Sequence, residues 1–383
     1  MFQWCPSIHF WLDQVVPNPV PKIPVGAHVA LFSVFDLLVP FVRLVLFHGF
    51  VGSQHAIVRL RMQPHTRSAL PPLFAYLAAV LVGGALLAPS LFDLGQWAQG
   101  WLSDSAMRDW GTVKWLLSEI ERAHFTRYFN RAVLVLAIAF LWPLLKAIRL
   151  DRSVLPTFAP AASGFKQGLA GFILASGLLF GLGLLFIQIG IYTLKPDAAW
   201  LKLSAHLTAA FGAGIVEELF FRGALLGILL RTMKPKTAFF WCTFIFAIVH
   251  FLRPPGDWQL ADADVRWHSG FAVLMRLFSG FGDLRIFLAE FLTLAAVGAM
   301  LAFTRLCTGR LWLPIGLHAG WVFGLKYFTA LTITSEALNR GETLPWIGSN
   351  LKIGLAPFAT VLFTGFVASL LFRAPQTSAI NNR

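Results

Sequence analysis

Glu217 and Glu218 stand side by side in the apolar run Gly214-Ile215-Val216-Glu217-Glu218-Leu219-Phe220-Phe221-Arg222-Gly223. Each ionised carboxylate there costs several kcal/mol if left unpaired in lipid, on the order of 2.5–3.5 kcal/mol on insertion scales, so a membrane helix keeps such groups for a reason. At helical spacing Glu218 and Arg222 are i and i+4 and can pair, whereas Glu217 points about 100° away with no cation nearby in sequence. One carboxylate is thus left for proton transfer. Desolvation and a nearby imidazole pull on its proton in opposite directions, the tuning that makes a carboxylate serviceable as a base near neutral pH. Two histidines can supply that imidazole. His250 closes Phe246-Ala247-Ile248-Val249-His250 at the end of the next apolar segment, and His318 lies in Gly316-Leu317-His318-Ala319-Gly320-Trp321 within another. Any one of them alone is a satisfied polar group on a buried face. Three apolar segments each carrying a titratable group without a local partner point instead to one assembled site.

The elements that must position these groups are membrane helices. The 383-residue chain is 57% hydrophobic and only 13% charged, with 37 Phe, 14 Trp and a mean hydropathy of +0.69. That leaves too few charges for a water-facing shell and predicts an all-α, polytopic helix bundle. Windows of about 20 residues fall near 27–50, 71–90, 131–149, 168–194, 205–230, 237–253, 286–304, 311–331 and 353–372, about nine spans with eight or ten as the alternatives. Residues 98–130 mix Trp101, Trp110, Trp115 and Phe125 with Asp104, Arg108, Glu119 and Glu121, the composition of an interfacial helix. Residues 269–283 are too short and glycine-flanked for a span and read as a surface or re-entrant piece. Gly212, Gly214, Gly223 and Gly227 around the carboxylates favour close helix packing. Asp36 and Arg43 share a face of the first span and read as a structural pair.

Lys and Arg follow the odd-numbered spans, as with Arg59, Arg61 and Arg67, Lys146, Arg149 and Arg152, and Arg231, Lys234 and Lys236. The positive-inside rule makes those loops cytoplasmic, the loop around Asp262 external, the N-terminus external and the C-terminus cytoplasmic. The net charge of +13 then reflects topology and anionic lipid, with no basic–aromatic pattern for nucleic acid. The first 26 residues lack a basic start and carry Pro17, Pro19, Pro21 and Pro24, so they read as a non-membrane lead-in and not a signal peptide. Cys5, Cys242 and Cys307 form no CxxC and read as small apolar fillers. No repeat stands out to suggest an inverted-repeat transporter.

Glu217-Glu218-Leu-Phe-Phe-Arg222 is an EExxxR, Phe246 to His250 an FxxxH, and His318 stands where a third histidine motif is due, all in one order on successive segments. This set resembles the CPBP family, the CAAX-processing endopeptidases and their bacterial relatives linked to bacteriocin processing and self-immunity. The resemblance spans residues 165–331, preceded by N-terminal membrane helices over 27–164 and followed, over 332–383, by an external loop, a last span and a cytoplasmic tail. It implies an intramembrane endopeptidase in which Glu217 activates water, His250 joins the water-activating group, His318 stabilises the oxyanion, and Glu218, Arg222, Phe246 and Trp321 support them. It implies membrane-anchored protein substrates, prenylated or bearing C-terminal sorting tails; prenylated substrates point to a eukaryotic partner system, whereas positive-inside spans without a targeting sequence fit a bacterial inner membrane, which is the expectation. Glu217, His250 and His318 could instead be three zinc ligands, although no HExxH is present, and metal-free catalysis is the expectation. One departure stands out: the family's third motif carries an asparagine four residues after its histidine, and here that position is Val322. The competing readings are a transporter or ion pathway using the same Glu and His groups, and a catalytically inactive immunity or scaffold homologue.

Overall fold

The computed structural model describes residues 70–148, 161–197, 203–252, 254, 258–279 and 281–372. Within them the chain is almost wholly helical. In chain order the helices are α1 (Leu70–Asp104), α2 (Gly111–Glu121), α3 (Phe125–Ile148), α4 (Ala161–Gln188), α5 (Leu203–Glu218), α6 (Leu226–Thr232), α7 (Pro235–Val249), α8 (Ser269–Arg276), α9 (Leu284–Thr308), α10 (Trp312–Leu331), α11 (Glu336–Asn339) and α12 (Leu355–Leu371). A π-helical turn, Leu219–Leu225, joins α5 to α6 without a break. Strands β1 (Thr193–Leu194) and β2 (Thr332–Ile333) pair antiparallel, Thr193 opposite Ile333, and tie the chain just beyond α4 to the end of α10.

Four helices, Pro71–Asp104, Phe125–Ile148, Ser163–Gln188 and Leu284–Thr308, are long and apolar enough to cross a membrane. Only 17% of the apolar window in α3 is buried within the protein, so side chains such as Val135, Ile138 and Trp142 face outward. Apolar surface left outward on this scale demands lipid rather than water. The other eight windows expected from sequence each overlap helix, that at 168–194 running past α4 into β1, while the window at 27–50 lies outside the described residues, as do Asp36, Arg43 and Cys5.

Two expectations are corrected. Residues 98–104 are not part of an interfacial helix: α1 runs on through them to Asp104, and at 35 residues, roughly 52 Å, it outreaches a hydrocarbon core of about 30 Å. Its last turns carry the stacked, outward Trp97 and Trp101, where an aromatic belt belongs. The separate amphipathic piece is the 11-residue α2, with no buried residue. The second correction concerns glycine. Gly214 does lie at a helix crossing, its Cβ position 3.2 Å from Ile315 O and Ala319 N of α10, but Gly212 faces open space. Closer still is Gly168 of α4 against Gly316 of α10, where a Cβ would sit 1.9 Å from the Gly168 carbonyl oxygen.

Helix α10 packs against α4 on one side and α5 on another, and α9 packs between α7 and α12. Asp283 caps α9 by accepting from the Arg285 N–H, and Gly309 ends it in the left-handed conformation at φ 68°. The expected surface piece at 269–283 is α8 with a following 3₁₀ turn, set on α1 at Gly270 against the Ala85 backbone. These contacts bring α5, α7, α9 and α10 around one interior.

Candidate active site

The π-helical turn begins directly after Glu218 and holds Arg222, fully buried with its partner. Arg222 Nη1 donates to Glu218 Oε1 at 2.8 Å, and Nη2 donates to the Gly298 carbonyl of α9 at 3.0 Å. The guanidinium lies 4.2 Å from the centre of the Phe246 ring, within cation–π range. Gly298 admits that ring, since a Cβ there would meet it at 2.9 Å. The i, i+4 pair expected from sequence is therefore present, embedded between α7 and α9.

Glu218 has a second tie. His318, on α10 and 3% exposed, donates from Nδ1 to the same Glu218 Oε1 at 2.8 Å; a carboxylate can only accept, so this nitrogen carries the proton. Its other nitrogen, Nε2, lies 3.8 Å from Glu217 Oε2. His250 mirrors it from the end of α7. Its Nδ1 donates to the Phe246 carbonyl at 2.7 Å, and its Nε2 lies 3.8 Å from Glu217 Oε2. Glu217 itself has a third of its side chain exposed, yet Oε2 is buried and has no hydrogen-bond partner among the described residues.

Helix α7 is short, 15 residues or about 22 Å, and stops where His250 is needed. Backbone leaving helical form at membrane depth is tolerated where it is buried in protein or lines a hydrated cavity. The end of α7 is thus suited to a site that admits water. Phe246, fully buried, packs on both histidine rings, 4.8 Å from His250 and 5.8 Å from His318 between ring centres. It fixes their orientation as well as carrying Arg222.

Residues 198–324 match the family model described as type II CAAX prenyl endopeptidase, Rce1-like. The segment that carries the site is Rce1-like. The Rce1-like segment is narrower than the 165–331 expected from the motifs, beginning after α4, but it holds Glu217, Glu218, Arg222, Phe246, His250, His318 and Trp321 together. With its apolar helices, the chain is an integral membrane protein. Neither a curated protein nor a solved structure matches the chain.

Sequence reasoning missed the link from Glu218 to His318, the Gly298 carbonyl and a second ion pair in which the half-buried Lys352, before α12, holds the buried Glu290 of α9. Only the last had a sequence signal, an acid in the apolar run of α9. Glu217, His250 and His318, the three residues of the zinc alternative, are the same three that meet here, with each histidine Nε2 3.8 Å from Glu217 Oε2.

Proposed function

We propose that the chain is a glutamate-type intramembrane endopeptidase acting on membrane-anchored proteins with prenylated or C-terminal sorting tails. One observation carries this reading: a carboxylate oxygen without a hydrogen-bond partner, Glu217 Oε2, stands 3.8 Å from Nε2 of both His250 and His318. That spacing is too long for a direct hydrogen bond and short enough for one water oxygen to bridge. Because both Nδ1 atoms carry protons committed elsewhere, Nε2 is the nitrogen that each ring turns toward Glu217, and the neutral form of the ring accepts there. A water between Glu217 and His250 donates to both. Glu217 takes one proton as the water oxygen adds to a peptide carbonyl, then returns it to the departing amine, as a general base and acid. Glu218 and Arg222 hold His318 in its tautomer from behind.

The test is direct. Protein purified in detergent is expected to cleave an internally quenched prenylated peptide ending in Cys-a-a-X, and membranes with and without the protein should differ by a C-terminal fragment in mass spectrometry. Coupled ion flux with no cleaved product in either assay would favour the transporter reading instead. Chelators are expected to leave the cleavage rate unchanged, because the proposed nucleophile is generated by Glu217 and not by a metal-bound water. Stoichiometric zinc lost together with activity in Glu217→Ala would overturn that mechanism while leaving the site residues standing.

About nine spans, an external N-terminus, a cytoplasmic C-terminus and a bacterial inner membrane complete the proposal. Cysteines placed at Lys236 and Asp262 are expected to label only from the cytoplasmic and the external side, respectively. Labelling of Asp262→Cys from the cytoplasm alone would invert the topology.

A further inference from the structure

Helix α10 divides its surface among its neighbours. Gly316, Gly320 and Gly324 face α4, meeting Gly168, Phe172 and Leu179, while Ala319 and Ile315 face Gly214 of α5. His318 and Trp321 are three residues, hence one turn and about 60° apart around the axis, in the sector that remains. His318 reaches Glu218 and the Phe246 ring from that sector. Trp321 is only 5% exposed, and its Nε1–H is buried with no hydrogen-bond partner among the described residues. A buried indole N–H ordinarily finds an acceptor, and one left without is a group waiting for a ligand or a cost with no return.

Peptide hydrolysis needs such a donor. As a tetrahedral adduct forms, charge develops on the carbonyl oxygen and must be met by a hydrogen bond aimed at it. Nearest Glu217 Oε2 are Nε2 of His250 and of His318, whose Nδ1 protons are committed to Phe246 O and to Glu218, and in the proposed water-activating step each Nε2 serves as an acceptor. His318 could donate from Nε2 only as an imidazolium. Arg222 spends both Nη groups on Glu218 and Gly298 and lies behind the Phe246 ring, with its buried Nε–H also without a partner among the described residues. Position 322, where an asparagine would donate, is valine.

We propose that the Trp321 indole N–H holds the scissile carbonyl oxygen and stabilises the oxyanion of the adduct. This rests on the peptidase reading above. In the step, the water O–H bond breaks and its proton passes to Glu217. The water oxygen bonds to the carbonyl carbon, and the C=O π pair moves onto the oxygen facing Trp321. On collapse that pair re-forms the carbonyl, the C–N bond breaks, and the proton from Glu217 goes to the amine.

Trp321→Phe keeps the ring and removes the donor. With the quenched prenylated peptide, kcat is expected to fall roughly 10²–10³-fold, the usual loss for one oxyanion donor, with KM within about threefold of wild type. A peptide aldehyde of the same sequence, whose hydrate resembles the adduct, should lose inhibitory potency in the same proportion. Val322→Asn added to Trp321→Phe should restore kcat by about tenfold or more, by offering a donor one residue away. Where Trp321→Phe lowers the yield of folded protein, replacing the indole by the isosteric benzothiophene removes the N–H alone. A folded variant with kcat within about threefold of wild type, or one changed only in KM, overturns the assignment. Wild-type protein that cleaves no peptide would instead bring down the peptidase reading itself.

Discussion

Glu217→Gln is expected to abolish cleavage of the prenylated peptide while the protein still inserts, purifies and unfolds as the wild type does. The loss should be on the order of 10²–10⁴-fold or more, the range for removing a general base. The structure makes the two halves of this expectation separable. Glu217 Oε2 has no hydrogen-bond partner among the described residues, and the side chain is a third exposed, so an amide of the same shape removes proton affinity without orphaning a neighbour. His250→Ala should give a comparable loss, and the double change little more than either alone, because parts of one catalytic unit fail together. Single-turnover rates on folded protein, measured beside a thermal melt in detergent, decide it. Residual cleavage near wild-type rate in Glu217→Gln, or a loss of activity that only tracks a loss of fold, would remove Glu217 from the chemistry.

The groups that meet at the site were legible because each is expensive where it sits. An acid or histidine in an apolar run needs a reason, and Glu217, His250 and His318 come from three different apolar segments. What brings them together was not legible. Glu218 and His318 are 100 residues apart, and their meeting depends on how closely α5 and α10 cross at Gly214 and Ala319. Sequence marked Gly214 as a packing residue but gave the same weight to Gly212, since a glycine's neighbours are a tertiary property. The π-helical turn at Leu219–Leu225 left no mark either. EExxxR places its pair one turn apart in either kind of helix, and the choice between them follows from seating Arg222 against Gly298 and Phe246. The acceptor at Gly298 is a backbone carbonyl, which every residue possesses. Only the absence of a side chain, leaving room for the Phe246 ring, distinguishes that position.

The second large effect falls on stability. Glu218 Oε1 accepts from both Arg222 and His318 at 2.8 Å, and the Glu218 and Arg222 side chains are fully buried. Glu218→Gln leaves the guanidinium with the Gly298 carbonyl and two aromatic faces but no counter-charge. Breaking a buried pair in this way costs about 3–5 kcal/mol, so Glu218→Gln should lower the melting temperature far more than Glu217→Gln, though both lose one carboxylate from adjacent positions. Adding Arg222→Met removes the stranded charge and should recover much of the stability, since an apolar side chain of similar volume is often tolerated where an ion pair was. The glutamine oxygen can still accept from His318 Nδ1 in that double variant. It should therefore regain some activity with its fold, whereas Glu217→Gln regains none from any stabilising change. A double variant no more stable than Glu218→Gln would show that Arg222 is held by Gly298 and the rings alone, and that Glu218 serves His318 and not the arginine.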